Sequence, residues 1–511
     1  MAHHQPTAYS IRAIGSNRGA PRIWLEGRVP ASAGFAPQSH YRIQVQTENK
    51  RIILRLDPNG DRKVSQKESG GKIAPVIDIN SKAMLSVFDG LDRIRVWAIE
   101  GGLCIEPIAT DVRIAQRLAR LREKMANGQP LSVGSISHGG GVLSKAIHDG
   151  IASAGVASRL VFANDIRDDL LTQSSEYNSS WDKQTIMLHA PMQELAFDHN
   201  FMATLPACDV LEGGIPCSGA SLASRGKLGT DCAEAHPAVG HLIVAFLAIV
   251  ARVNPSVLLL ENVPLWQNAS SMWLLRHQLR DLGYVVHERI VHSGEWNCLE
   301  ARSRLAVTAV TVGMEFDYED LIPPAAEAVK VGSILEDIAK DDPSWSSMQY
   351  LKDKEVRDTE AGKGFRMHIV NAESSKVSTL GRGYTKNRST ETKVQHPDNP
   401  ELLRIFTPLE HSRVKGIDPA LITGLPKTTA HELLGQSIIP KPFVAIGELI
   451  AKSIKSFCND VAGGVVKTIA QSIQDAKNDQ QAKKYDLLDS APKPAAVKAS
   501  AAKNPDQVSL F

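Results

Sequence analysis

Between residues 131 and 313 the chain runs through six short, largely apolar segments, LSVGSISHGGG, RLVFANDI, KQTIMLHA, CDVLEGGIPC, SVLLLENV and RLAVTAVTVG, separated by helical stretches. A strand buried on one face alternates apolar and polar residues. These runs are apolar almost throughout, so both of their faces must be covered, as in a parallel sheet held between helices. Several end in glycine or polar residues, and in open α/β sheets ligands bind at the carboxyl ends of the strands. The pattern predicts a doubly wound α/β core with a ligand crevice.

Around this core the patterning changes. Residues 1–108 read as short alternating strands with an internal repeat: Gly27-Arg28-Val29-Pro30, Gly34-Phe35 and YRIQVQTENKRIILRL are echoed by IDIN, a short helical MLSVF and DRIRVWAIEGGLCIEP. Each half joins two strands across a turn, Glu48-Asn49-Lys50 in the first and Glu100-Gly101-Gly102 in the second, a hairpin pattern. This order resembles the swapped-hairpin DNA-binding domains of antitoxins and transition-state regulators. It implies a β-rich module for dimerisation, packing or accessory DNA binding. DVRIAQRLARLREKMANGQ predicts a helix leading into a core over residues 109–315. Residues 316–400 are polar and irregular, and residues 401–456 return to apolar helical patterning. Residues 457–511 pass from a weak amphipathic helix (Val465, Val466, Ile469, Ile473) into an Ala-, Lys- and Pro-rich tail that cannot bury enough apolar surface to fold alone.

At 511 residues the chain exceeds one core, and at about 150 residues per domain it calls for roughly three. No apolar run approaches the roughly 18 to 20 residues of a membrane span, and MAHHQPTAYSIRAIG lacks the apolar centre of a signal peptide. The expectation is a soluble, cytoplasmic protein. A net charge of +2 leaves any nucleic-acid binding to local basic patches. The six cysteines are scattered without a CxxC pair or a His cluster at ligand spacing, which argues against a zinc site or a disulfide frame. No metal is expected.

Four stretches carry chemistry. In LEGGIPCSGAS an apolar strand runs into Gly213-Gly214, Pro216 precedes Cys217, and the small residues that follow let a planar group approach. VLLLENV ends in Glu261-Asn262-Val263. NCLEARSRLAVTAV sets Arg302 and Arg304 two residues apart at the start of a strand, hence on one face. RLVFANDI ends in Asn164-Asp165, a carboxylate suited to ribose hydroxyls.

In this order the elements resemble the cytosine-C5 DNA methyltransferases, with their Pro-Cys, Glu-Asn-Val and Gln-x-Arg-x-Arg motifs, Glu300 standing here in the Gln place. RIFTPLEHSRVKG is similar to the family's ninth motif at Arg404, Thr407, Pro408, Glu410, Arg413 and Gly416. LLGQSIIPKPFVAIGELI is similar to the tenth, with Gly435-Gln436-Ser437 for the usual Gly-Asn-Ser. The resemblance implies an α/β, doubly wound S-adenosylmethionine-dependent methyltransferase fold with an inserted target-recognition domain and an N-terminal β-rich module. It also implies methylation of cytosine at C5 in double-stranded DNA, in the setting of DNA methylation and restriction–modification. In that reaction Cys217 adds to C6, and Glu261, a strand-end carboxylate of the kind whose pKa tends to rise, serves N3. Arg302 and Arg304 hold the base and phosphate, and the target base is flipped out of the stack. Two other readings remain open: an RNA cytosine-C5 methyltransferase, and a catalytically silent DNA-binding regulator.

The second of these is kept alive by the cofactor half. The family opens with an acidic strand end and Phe-x-Gly-x-Gly-Gly, whereas LSVGSISHGGG has neither acid nor Phe, and the third motif's Asp is replaced around His189-Ala190-Pro191. The expected S-adenosylmethionine-binding residues are Gly139, Gly140, Gly141, Asp165, Gly435 and Ser437. The recognition region, 316–400, ends in TLGRGYTKNRSTETKVQHP, where Arg382, Lys386, Arg388 and Lys393 gather near Tyr384, a set suited to phosphate contacts and groove readout. The C-terminal Gln507-Val508-Ser509-Leu510-Phe511 resembles the bacterial clamp-binding peptide. The expected partners are double-stranded DNA, a sliding clamp through Gln507, Leu510 and Phe511, and a second copy through the N-terminal module; no membrane is expected.

Overall fold

The computed structural model describes residues 5–216, 233–236, 239–363 and 366–459. Cys217, Cys232 and the tail that carries Gln507, Leu510 and Phe511 lie outside the described residues.

The first ten strands are β1 (Ala8–Ala13), β2 (Gly15–Asn17), β3 (Ala20–Glu26), β4 (His40–Gln46), β5 (Arg51–Leu56), β6 (Arg62–Lys63), β7 (Ser65–Ser69), β8 (Lys72–Ile79), β9 (Arg93–Ile99) and β10 (Gly102–Pro107). They form a six-stranded sheet, β1-β9-β10-β5-β4-β6, and a four-stranded sheet, β2-β3-β8-β7. Between them lies a core that includes Ile23, Leu25, Phe35, Ile52, Leu54, Phe88, Ile94, Val96, Leu103 and Ile105. The internal repeat is realised as the two hairpins β4–β5 and β9–β10. They join through β5 and β10, with Ile53 opposite Cys104, the third residue of each strand. The strands that open the two halves, β3 and β8, also pair antiparallel. The repeat that suggested a homodimer is therefore paired inside one chain, and no second copy is needed to complete this module.

The helix Ala109–Ala126 leads into the second unit and buries Ile114, Arg117, Leu118 and Leu121. Arg117 donates through Nη2 to the carbonyls of Leu282 (3.1 Å) and Gly283 (2.6 Å) and lies over the Tyr284 ring, which offsets the burial of its charge. The strands that follow are β11 (Leu131–Ile136), β12 (Ser158–Asp165), β13 (Ile186–His189), β14 (Val210–Gly213), β15 (Val257–Asn262), β16 (Tyr284–His292) and β17 (Ser303–Thr311). Their order is β13-β12-β11-β14-β15-β17-β16. β11 through β15 run parallel. β17, which the apolar pattern had placed in the parallel set, instead runs antiparallel to both β15 and β16. Only a short connection separates it from β16, and short connections make antiparallel neighbours. β11 sits where the order reverses, with β12 on one side and β14 on the other. The connections leaving their carboxyl ends therefore diverge and open a crevice there.

Two apolar layers cover the sheet. One includes Ile147 and Ile151 with Phe443, Ile446 and Ile450, the other Phe246, Ile249 and Leu275. The helices Val142–Ser153 and Pro440–Asn459 cross at glycines: a Cβ on Gly150 would lie 2.1 Å from the Val444 carbonyl oxygen. The long C-terminal helix is thus fixed on the first helix of the crevice.

Residues 316–400 contribute the helix Gln349–Glu360, β18 (His368–Val370) and β19 (Thr392–Gln395), and β19 pairs with β20 (Leu403–Arg404). Val331, Val370, Val377, Leu380, Tyr384 and Val394 form a core with Leu299, Phe406 and Val414 from the flanking segments. Among the described residues no single helix is long and apolar enough to cross a membrane, and no group of three or more His, Cys, Asp or Glu is placed to hold a metal ion.

Candidate active site

β11 ends in a turn, Ser137-His138-Gly139-Gly140-Gly141, that feeds the helix Val142–Ser153. Ser137, Gly139 and Gly141 all take positive φ, 56°, 55° and 73°. Glycine adopts this region without a Cβ clash, so Ser137 is the residue of the turn that stores strain. Gly140 lies under Leu433, and Gly141 is closed in by Asn178, His138 and Ser174, but a Cβ on Gly139 would meet nothing within 4 Å. Gly139 therefore faces open space in the crevice. Its N–H donates to Asp165 Oδ2 at 2.7 Å, and Arg167 N–H donates to Oδ1 at 2.9 Å, which fixes the carboxylate at the end of β12 beside the helix N-terminus. Next to it Ile166 is 64% exposed. His189, at the end of β13, is exposed, with Nε2 3.2 Å from the Ile166 carbonyl oxygen.

Beneath this turn lies a polar cluster. His138 is buried, Nδ1 2.7 Å from Ser135 Oγ and Nε2 2.9 Å from Ser174 Oγ, and burial pushes its pKa down to about 3, so it is neutral. Glu212 on β14 is also buried, which pushes its pKa up to about 7, with the Ser135 and Ser144 hydroxyls opposing the shift.

On the other side of the switch point, β14 continues through Gly213 and Gly214 toward Pro216. Glu261, at the end of the neighbouring β15, puts Oε2 3.5 Å from where a Gly214 Cβ would be. Asn262 Nδ2 donates to the Ile215 carbonyl at 3.2 Å. The strand pairing Gly213↔Leu260 brings these groups together. The tether through Asn262 had no separate signal in the sequence beyond its place in the Glu-Asn-Val triplet. Arg304 Nε pairs with Glu261 Oε1 at 2.6 Å, both side chains largely covered. Arg302 turns inward: its side chain is 4% exposed, 3.4 Å from Glu300 Oε1, and Nη2 donates to the Gly435 carbonyl at 3.3 Å. Glu300 is itself 2.8 Å from Lys415 Nζ, and both are wholly buried.

Residues 146–453, more than half of the chain, match the model of the C-5 cytosine-specific DNA methylase family. The chain belongs to this family. It is 26% identical to the type II methyltransferase M.SsoII of Shigella sonnei over 262 residues, 49% of this chain and 66% of that protein. It is 25% identical to M.NlaX of Neisseria lactamica over 264 residues, 50% of this chain and 80% of that one. The tRNA (cytosine(38)-C(5))-methyltransferase of Schizosaccharomyces pombe is 25% identical over 213 residues, 38% of this chain and 63% of that protein. The matched stretch thus falls just short of two thirds of the length of M.SsoII.

The methyl donor of the C-5 cytosine methylases is S-adenosylmethionine. The crevice fits it: Gly139 leaves space for the methionine part, Asp165 offers a half-buried carboxylate at a strand end, and Ile166 offers an exposed apolar wall. Where the family has a further acid, His189 stands. Two further expected cofactor residues, Gly435 and Ser437, make contacts within the chain. A Cβ on Gly435 would come within 2.4 Å of the Gly381 backbone, so this glycine serves close approach to the segment 381–382. Ser437 Oγ donates to the Leu433 carbonyl at 2.7 Å and closes the end of its helix. That helix reaches the glycine turn through Leu433 instead. Of the expected DNA-binding residues, Arg382, Lys386 and Arg388 are exposed. Lys393 is not available: it is wholly buried on β19, its Nζ donating to the Arg388 carbonyl at 3.0 Å and lying over the Tyr384 ring.

The buried Glu212 makes stability depend on pH. The folded chain keeps its proton up to about pH 7, whereas the unfolded chain releases it near the ordinary value of 4.5. Its contribution is therefore fully present below 4.5 and is lost as pH rises through 7, a change of about 3 kcal/mol. Glu212→Gln removes the dependence, so its melting temperature should gain on the parent between pH 5 and pH 8. A difference that stays flat across that range would refute the assignment.

Proposed function

We propose that this chain methylates cytosine at C5 in double-stranded DNA, with Cys217 as nucleophile and Glu261, Arg304 and Arg302 as its supporting groups. The observation that carries this reading is the meeting of Glu261 with the glycine turn that runs toward Cys217, tied by Asn262 to Ile215. Cytosine C5 is a poor nucleophile until a thiolate adds to C6. As the Cys217 S–C6 bond forms, the C5–C6 double bond supplies the electrons for a new bond at C5, and a proton held between Glu261 and N3 neutralises the ring. Bound S-adenosylmethionine would supply the electrophilic methyl group, its sulfur keeping the electrons of the broken S–CH3 bond. Transfer of the C5 proton to water then returns the C5–H electrons to the C5–C6 bond and expels the Cys217 thiolate, and the N3 proton returns to Glu261. Arg304 holds the Glu261 carboxylate in place, and Arg302 supports the strand end from inside.

The reactive carbon is hidden in the duplex, so the base must be flipped out. Residues 316–400 are proposed as the recognition region, with Arg382, Lys386 and Arg388 on phosphates. The named type II relatives favour DNA as substrate, while the tRNA relative makes transfer RNA the alternative to be tested. Bisulfite sequencing of DNA from cells that express the chain should give methylated cytosines in one sequence context. Methylation found only in transfer RNA, or none, would overturn the reading.

For the cofactor, Asp165→Ala removes the acceptor that holds the Gly139 and Arg167 N–H groups, an interaction worth about 1.5–3 kcal/mol for a charged hydrogen bond. Labelled S-adenosylmethionine should bind this variant about ten- to a hundredfold more weakly. Parental affinity would place the ribose elsewhere.

A further inference from the structure

Glu300 occupies the motif position where the family carries Gln, and the structure contains its counterpart 115 positions on (415 − 300). Its Oε2 is 2.8 Å from Lys415 Nζ, with neither side chain exposed. A lone buried charge is costly, so each ion requires the other. The remaining contacts of the pair reach two further stretches far apart in sequence, around Leu380 and around Ser437. Glu300 Oε1 accepts from Leu380 N–H at 3.2 Å and lies 3.4 Å from Arg302 Nη1. Arg302 donates onward to the Gly435 carbonyl, and Lys415 Nζ approaches the Ser437 carbonyl at 3.5 Å. Backbone bonds Ala301 N–H to Val377 and Val377 N–H to Leu299, both 2.8 Å, zip the same stretch to the segment 377–380. Arg302 stands two residues before Arg304, which grips Glu261.

We infer that Lys415 is a positioning residue: its pair with Glu300 sets Arg302 and the start of β17, hence Arg304 and Glu261, while clamping residues 377–380. The segment proposed to recognise DNA and the acid proposed to act on the base are thereby joined as one body. This inference rests on the methyltransferase reading for its kinetic part only. A buried ion pair is weak evidence for stability, and fixing geometry is its best-attested use. Here the geometry fixed is that of the junction between two cores.

The test compares the full chain with Lys415→Met, Glu300→Gln and the double variant Glu300→Gln/Lys415→Gln. Lys415→Met leaves Glu300 to draw Arg302 away from Gly435. Its kcat should fall about ten- to a hundredfold, with KM for DNA and for S-adenosylmethionine little changed. Hydrogen–deuterium exchange should rise together in residues 300–304 and 377–380. In the double variant two amides replace two ions, and both kcat and exchange should return to near parental values. Parental kcat in Lys415→Met, a rise in exchange in one segment alone, or a double variant no better than the singles would each overturn the inference. If Lys415→Met does not fold, Glu300→Gln against the double variant makes the same comparison. If the parent transfers no methyl group, the proposed function fails, and the exchange measurements still decide whether the joint exists.

Discussion

Cys217→Ala should abolish methyl transfer, a loss on the order of 10⁴-fold or more, while DNA affinity stays near that of the parent. The thiol makes and breaks the bond to C6 and contributes nothing to phosphate contacts, so only chemistry should change. The four cysteines among the described residues sharpen the expectation. Burial pushes the thiols of Cys104 and Cys208 up to about 12 and that of Cys298 up to about 11, and it raises Cys458 as well. Such thiols are almost never ionised near neutral pH, and the thiolate is the nucleophile. None of the four can replace Cys217. DNA with 5-fluorocytosine at the target should trap the parent covalently, because fluorine at C5 blocks the proton loss that releases the enzyme. An adduct of equal yield with the alanine variant would show that the nucleophile is another residue.

The parallel strands of the core were legible because they depend on local pattern. An apolar run states that a strand is buried on both faces, and its last residue marks the crevice. What escaped depends on partners remote in sequence. β16, YVVHERIVH, is an edge strand with mostly half-buried side chains and lacks the continuous apolar run of its neighbours. Charge alone could not separate Lys393 from Arg388, five residues earlier. The strand TKVQ carries Lys393 into the interior against Tyr384, while the turn before it leaves Arg388 in solvent. Glu300 read as a departure from a motif, and its reason, Lys415, lies in a helix with no local sign of the pairing. The close approach of Gly435 to Gly381 is likewise a fact of tertiary packing that its motif does not announce. In the N-terminal module the repeat was visible, but not that its two halves pair with each other.

The largest stability effect is expected at Glu410. Arg404 grips its carboxylate with two hydrogen bonds of 2.6 and 2.7 Å, the side chains 3% and 0% exposed. The same carboxylate accepts from Thr407 N–H at 2.9 Å, completing a capping box at the start of the helix Pro408–Lys415, and from Glu336 N–H at 2.9 Å. Glu410→Ala therefore strips a buried guanidinium of its partner, removes the side-chain half of the capping box on the helix that ends in Lys415, and leaves the Glu336 amide without its acceptor. Removing one member of a buried pair costs about 3–5 kcal/mol, because the charge left behind is uncompensated. Arg404→Met/Glu410→Leu, which removes both charges, should recover much of that loss even though it also gives up the cap. Trp345, whose ring lies under the Arg404 guanidinium, gives a local fluorescence signal for urea unfolding of this unit. A loss below about 1 kcal/mol in Glu410→Ala, the range of an exposed pair, would mean that water reaches Arg404 and that the junction is looser than its geometry indicates.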